Sequence, residues 1–306
     1  MKSVVVALDG SLFAEAALPV AARLAREAKA GLTLLRVHEQ ATTLTPIEGA
    51  PMVGVPDEEQ ARAEDRAYLS SVARSLGTVG GSDVSYRLID GVAGEALVRE
   101  LDRIRPDVFV MSTHGRGALA RAWLGSVADY VIRRTSTPVL LIRPKDGKPV
   151  LPEQAPFDRC LVPLDQSEGS EAILTPLIPF ALVTQAHLTL LHVNEPAVGV
   201  VGSMPPYPIV FSDEEITARR QASERYLEGV AERLRGEGLR VSTKTIIGTS
   251  AVPSILDEIR AEGYDFVAMT TQGATGFRRL LLGSVAGEII RGAGVPVLVV
   301  RPEDKG

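Results

Sequence analysis

A chain that repeats itself has few folds open to it, and this one repeats from end to end. HGRGALARAWLGSVA (residues 114–128) returns as QGATGFRRLLLGSVA (272–286), which sets Gly115 and Gly125 each 158 positions before Gly273 and Gly283. Four further pairs run in the same order: VVVALDGS (4–11) with CLVPLDQS (160–167), LTLLRVHE (32–39) with LTLLHVNE (188–195), LIDG (88–91) with TIIG (245–248), and TPVLLIRP (137–144) with VPVLVVRP (295–302). The offset moves only from 156 to 158, so the chain is a duplicated domain with minimal loop change. Its 306 residues also exceed one average domain of roughly 100–150 residues. KDGKPVLPEQAP (145–156) is rich in Pro, Gly and charge without apolar period, which marks a linker. The expected domains are therefore 1–144 and 157–306.

Within each half, short β-branched runs alternate with longer segments of helical period, the pattern of strands joined by crossover helices in a parallel sheet. In the first half the strands are expected near 3–9, 32–38, 84–90, 107–112 and 138–143, and the helices near 11–30, 57–76, 94–104 and 126–134. The fold class is α/β: two tandem, open, five-stranded parallel-sheet domains of Rossmann-like type. Ser11 reads as a helix cap, and Pro138 and Pro296 open the last strands. Irregular loops are expected near 39–56 and 194–211, with MPPYP (204–208) stiff and extended.

Composition bounds the function. With 45% hydrophobic and 23% charged residues, each half has enough apolar material for a core. The net charge of −5 speaks against nucleic acid as a partner, because binding phosphate backbones needs a dense Lys/Arg patch. No segment reaches membrane-spanning length, and the apolar run in MKSVVVALDG is too short for a signal peptide. A lone cysteine, Cys160, fits a reducing compartment, and the expected location is cytoplasmic with no membrane partner.

Open parallel sheets bind ligands beyond the carboxyl ends of their strands, where strand order reverses. Asp9, Asp165 and the turns after each fourth strand belong there. Glycine lets backbone approach a ligand closely, and Ser126 is placed to cap the helix that follows, with Asp129 three residues on. That helix would aim its first N–H groups into the loop, which favours an anion such as phosphate. Asp9 could then accept from ribose hydroxyls or face a phosphate-bound metal ion.

The V-x-L-D-x-S first strand, the LL-x-V second strand and the G-2x-G-9x-G-[S/T] loop together resemble the universal stress protein (UspA-like) family of ATP-binding type, here as a tandem pair. The resemblance implies five-stranded domains of the adenine nucleotide alpha-hydrolase-like kind that bind ATP, or ADP or AMP, with Mg²⁺. By position it implies that Ala7 and Asp9 face the adenosine, with Asp9 on the ribose, and that Val37 and Met111 lie around the adenine. Ser112, His114 and Gly115 match the first part of the phosphate loop, and Gly125, Ser126 and Val127 the second. In the other copy the matching residues are Pro163, Asp165, Val193, Met269, Thr270, Gln272, Gly273, Gly283, Ser284 and Val285. Ser112 and Thr270 replace the first glycine of the motif. A Cβ there crowds a phosphate, or the hydroxyl substitutes for a backbone contact; β-branched Thr270 is the greater departure, which favours the first half as the better binder. The family's usual pairing also implies an intrachain pseudo-dimer through the strands PVLLI and PVLVV, and allows a homodimer.

The four histidines, His38, His114, His187 and His192, show no helical i, i+4 pair and no Cys partner, so no metal-binding residues are assigned. His187 is expected at a strand entrance, Cys160 as an inert core thiol and Trp123 as a packing residue. G-x-x-x-x-G-K-[S/T] and G-x-S-x-G are both missing, and no catalytic residue is named. The expected function is a nucleotide-binding regulatory or stress-response module with at most slow ATP hydrolysis. The alternatives are an adenylate-transferring or ATP-hydrolysing enzyme, and a scaffold with degenerate sites.

Overall fold

Val4, Val5 and Val6 carry stiff, branched side chains that favour extended backbone. They form the middle of β1 (Ser3–Ala7) and are almost wholly buried, as a parallel strand covered on both faces must be. The computed structural model describes residues 1–39, 57–80, 83–113, 124–143, 157–195, 200–201, 207–208, 212–272 and 282–302. The chain divides into two compact units, Met1–Gln154 and Ala155–Gly306.

In the first unit β1 is followed by α1 (Leu12–Glu15), α2 (Leu18–Ala28), β2 (Gly31–His38), α3 (Glu58–Gly80), β3 (Val84–Asp90), α4 (Ala93–Ile104), β4 (Val108–Ser112), α5 (Ser126–Arg134) and β5 (Val139–Ile142). All pairings are parallel: Val4 is in register with Leu32 of β2 and Val108 of β4, Leu32 with Val84 of β3, and Phe109 with Val139 of β5. The order β5-β4-β1-β2-β3 reverses between β1 and β4.

The second unit repeats this with β6 (Arg159–Pro163), α6 (Glu168–Glu171), α7 (Leu174–Thr184), β7 (His187–Asn194), a ribbon of β8 (Val200–Val201) and β9 (Tyr207–Pro208), α8 (Asp213–Gly236), β10 (Arg240–Ile247), α9 (Ala251–Glu262), β11 (Phe266–Thr270), α10 (Ser284–Gly292) and β12 (Val297–Val300). Its order, β12-β11-β6-β7-β10, is the same topology. Each sheet is pinned at its amino end by one carboxylate: Asp107 accepts from the Lys2 and Ser3 amides (2.7 and 2.9 Å), and Asp265 from those of Asp158 and Arg159 (3.0 and 2.9 Å).

The structure departs from expectation in several places. The helix expected over 11–30 is two helices, because Ala16 and Ala17 turn the chain before α2; Pro19 and, in the copy, Pro176 stand in the first turn of the second helix, where no donor is needed. The segment 194–211 is not irregular throughout: Val200 and Val201 pair antiparallel with Pro208 and Tyr207, a ladder too short to leave a period-two pattern. The first strand stops at Ala7, two residues early, so Asp9 lies beyond the ladder.

Gly94 of α4 lies against Tyr130 of α5. A Cβ built there would stand 2.8 Å from Tyr130 Cδ1 and 2.9 Å from Cγ, and the Arg134 guanidinium stacks on that ring at 3.8 Å. Gly94→Ala gains helix propensity of about 1 kcal/mol but overpacks at about 1–3 kcal/mol. A net loss of about 1 kcal/mol in urea unfolding is the expected result, and a stabilised variant would show that Tyr130 moves freely.

Candidate ligand-binding site

The carboxyl end of β1 is built by local hydrogen bonds. The Leu8 amide still reaches Leu35 O (2.8 Å), and then the chain turns: Asp9 Oδ1 accepts from the Ser11 amide (2.8 Å), with Gly10 at φ 82°. Ser11 caps α1 as expected, its hydroxyl accepting from the Ala14 amide (3.2 Å). The second unit repeats each step: Leu164 N to Leu191 O (2.8 Å), Ser167 N to Asp165 Oδ1 (3.0 Å) and Ser170 N to Ser167 Oγ (3.1 Å). There Gln166 replaces Gly10 and holds φ 68°.

Beside it lies the end of β4. Thr113 N donates to Ile142 O (2.9 Å), and Thr113 O accepts from Gly125 N (2.7 Å). The chain that leaves at Thr113 thus comes back to the same atom group and starts α5 there. In the copy Gly283 N donates to Thr271 O (2.8 Å) ahead of α10. The helix cap is Gly125 (φ −65°, ψ 149°) and not Ser126, which is the first helical residue and exposed; Gly283 and Ser284 repeat this. In the second half space favours this: a Cβ on Gly283 would lie 3.0 Å from the Thr271 carbonyl oxygen, so the closing bond leaves little room for a side chain at that cap. Asp129 takes no part in capping and instead holds Arg133 (2.8 and 2.7 Å). Among the described residues neither cap glycine offers a side chain to the helix start, and the first-turn amides of a helix have no partner within it.

The topology therefore brings Ala7 and Asp9 from β1, Met111 and Ser112 from β4, and Gly125, Ser126 and Val127 from α5 to one end of the sheet, where strand order reverses. Val37 stands at the same end on β2, the neighbour of β1. Pro163, Asp165, Val193, Met269, Thr270, Gln272, Gly283, Ser284 and Val285 take the matching places in the second unit. His114, Gly115, Gly273 and Trp123 lie outside the described residues, as does the linker 145–156. The two ends are not identical. Thr270 Oγ1 donates to Gln272 O (2.6 Å), engaging the hydroxyl in the turn. The β6–β11 ladder has two paired positions, Cys160 with Phe266 and Leu161 with Val267, against three between β1 and β4; Pro163 has no N–H to extend it.

Several supporting residues were not read from the sequence. Glu39, just past β2, accepts from the Ala93 amide (2.8 Å) and so caps α4 from another element, and Glu195 does the same for Ala251 of α9. Their signal was the repeated Glu ending LRVHE and LHVNE. Tyr68 donates to Glu15 (2.8 Å) and Tyr226 to Glu171 (2.9 Å). The edge strands are tied to helices by Arg87 with Glu100 and Lys244 with Glu258, both 2.7 Å. His38, 4% exposed, lies between Asp65 (2.7 Å) and Glu58 (2.8 Å).

Cys160 is fully buried, and burial pushes its thiol well above the usual range, as an inert core thiol requires. His187 opens β7; burial, with Arg240 and Arg159 nearby, lowers its pKa. Among the described residues no group of three or more His, Cys, Asp or Glu is gathered as a metal site, and no helix is long and apolar enough to cross a membrane.

The model of the universal stress protein family matches residues 1–143 and again 156–301. A universal stress protein of Mycolicibacterium smegmatis is 29% identical over 306 residues, covering 98% of this chain and 97% of its own. One from Mycobacterium tuberculosis is 28% identical over 299 residues, 97% of this chain and 96% of its own. The crystal structure of a universal stress protein from Archaeoglobus fulgidus superposes with a TM-score of 0.68 at 20% identity, over 98% of both chains, a likeness of fold.

Proposed function

Because this chain belongs to the universal stress protein family, we propose that each half binds an adenine nucleotide, ATP with Mg²⁺ foremost, and that the protein is a nucleotide-responsive regulatory module with at most slow ATP hydrolysis. The observation that carries this reading is the doubled geometry at the reversal of strand order. In both halves an Asp turn beyond the first strand stands next to a strand whose exit is closed, through a glycine amide, onto a helix start whose cap residue is glycine. An anionic phosphate tail suits those first-turn amides and the positive end of the helix dipole. Asp9 and Asp165 suit hydroxyl donors of a ribose, and Ala7, Val37 and Met111 offer an apolar wall for a base.

The donor set fits the group. Gly283 keeps its approach to Thr271 clear of any Cβ, and Mg²⁺ usually keeps several waters and binds through substrate phosphates plus one or two carboxylates. As the alternative to a ribose contact, Asp9 or Asp165 would be that carboxylate. The residues assigned hold and orient; none forms a nucleophile with an adjacent base. A cytoplasmic setting agrees with a single buried thiol.

Isothermal titration of Mg·ATP into the wild type, Gly125→Val and Gly283→Val tests this directly. Two sites per chain are expected, with one lost in each variant. No uptake by the wild type would leave only the scaffold reading. Release of AMP or pyrophosphate with a carboxylate acceptor would establish adenylate transfer instead.

A further inference from the structure

We infer that His38, Asp65 and Glu58 form a proton-dependent clamp that holds the first turn of α3 on the end of β2 in the first half, and that the second half has none. Both ring nitrogens of His38 face carboxylate oxygens, Nδ1 with Asp65 at 2.7 Å and Nε2 with Glu58 at 2.8 Å. Ionised carboxylates only accept, and a neutral imidazole has one N–H, so the ring satisfies both only as imidazolium. It does so while almost completely buried, and a buried charge persists only when paired.

The surrounding groups decide what proton loss releases. From α3 come Glu58, Arg62, Asp65 and the Tyr68 hydroxyl; from β2, Arg36; from β3, Asp90; from α1, Glu15; and from the end of β1, Asp9. Arg36 pairs with Asp65 and stacks on Tyr68 at 5.0 Å. Tyr68 is held by Glu15, Asp9 adds negative charge near Tyr68, and Arg62 is engaged by Asp90. Asp65 thus keeps a cation whatever His38 does. Glu58 is half exposed and has water as its alternative. A neutral ring keeps Nδ1–H on Asp65 and presents a lone pair to Glu58, freeing the residue that starts α3.

The hydrogen bond to Asp65, then the contacts with Glu58, raise the His38 pKa against the opposing effect of burial. The sign follows: the clamp is fully engaged below about 6.5, and its stabilisation is lost as pH rises through the higher folded-state value. In the second half Asn194 replaces His38, Ser223 replaces Asp65 and Ile216 replaces Glu58. The contacts there are hydrogen bonds of amide and hydroxyl groups, Ser223 Oγ to Asn194 Oδ1 (2.9 Å) and Gln166 Nε2 to Ser223 Oγ (3.1 Å). The start of α8 is held by the Ser212–Glu215 capping box.

The test follows the imidazole resonances of the full chain against pH by NMR, together with amide hydrogen exchange at residues 59–62 and 214–218, corrected for the intrinsic rate. A His38 midpoint above 6.5 and above that of His187 is expected, lowered by Asp65→Asn and less so by Glu58→Gln. Protection at 59–62 should fall about tenfold for each unit by which that midpoint exceeds 6.5, while protection at 214–218 stays level. A His38 midpoint at or below that of His187, or equal loss at both helix starts, would overturn the clamp.

Discussion

Replacing Phe266 by Ala is expected to destabilise the second unit by about 4 kcal/mol, read as a lowered midpoint in urea unfolding at unchanged slope. The ring of Phe266 is completely buried and meets Phe157 at 5.2 Å and Phe180 at 5.4 Å between centroids, while Phe157 meets Phe180 edge-on at 5.8 Å. Truncation removes a fully buried phenyl ring and two aromatic pairs worth about 0.5–1.5 kcal/mol each beyond their area. The surrounding strands are held by main-chain ladders on both sides, so the cavity cannot close fully. In the first unit the places of Phe180 and Phe266 are filled by Leu24 and Val108, also buried. Val108→Ala should therefore cost clearly less, since it removes less buried area and no aromatic pair; equal losses would overturn the large effect expected at Phe266.

Asp9→Asn and Asp165→Asn should each weaken Mg·ATP binding in their own half at least tenfold, and the double variant should abolish measurable saturation. A hydrogen bond to a charged group contributes about 1.5–3 kcal/mol, and about 1.4 kcal/mol is a factor of ten in affinity. Asn is the informative replacement because its Oδ1 can still accept from the Ser11 or Ser167 amide, so the turn survives while the charge is removed. Calorimetry of the three variants, with circular dichroism to show an unchanged fold, checks the expectation. Undiminished affinity in the double variant would remove the carboxylates from the proposed site.

The duplicated α/β architecture was legible because apolar period and repetition both survive in a linear string. The runs SVVVA, VFVMS and VLLI could only be covered strands, and the 156–158 offset tied each to its twin. Ser11 and Ser167 could be read as caps because the cap lies next to the helix it serves. Capping by Glu39 and Glu195 could not be, since each acts on a helix more than fifty positions away. Ser126 misled for a related reason. Gly-Ser before an apolar period normally puts the hydroxyl at the cap, but here the glycine amide must reach Thr113, which moves the helix boundary one residue back. The buried setting of His38 was hidden because its partners come from a helix twenty and more residues downstream. The resemblance to a family supplied the nucleotide; the residues themselves supplied only an anion-ready helix start beside a carboxylate.

Gln166 stands where the first copy has Gly10, in a left-handed backbone that costs a residue with a Cβ about 1 kcal/mol. Its amide meets Ser223 and His192, both 3.1 Å away, partners the first copy does not possess. The twins have consequently lost their exchangeability: transplanting Gly10 into the later copy would ease the main chain yet strip two neighbours of a donor, and the reverse graft would import strain beside a differently charged set of neighbours. One repeated unit thus stands twice under separate local rules inside a single polypeptide.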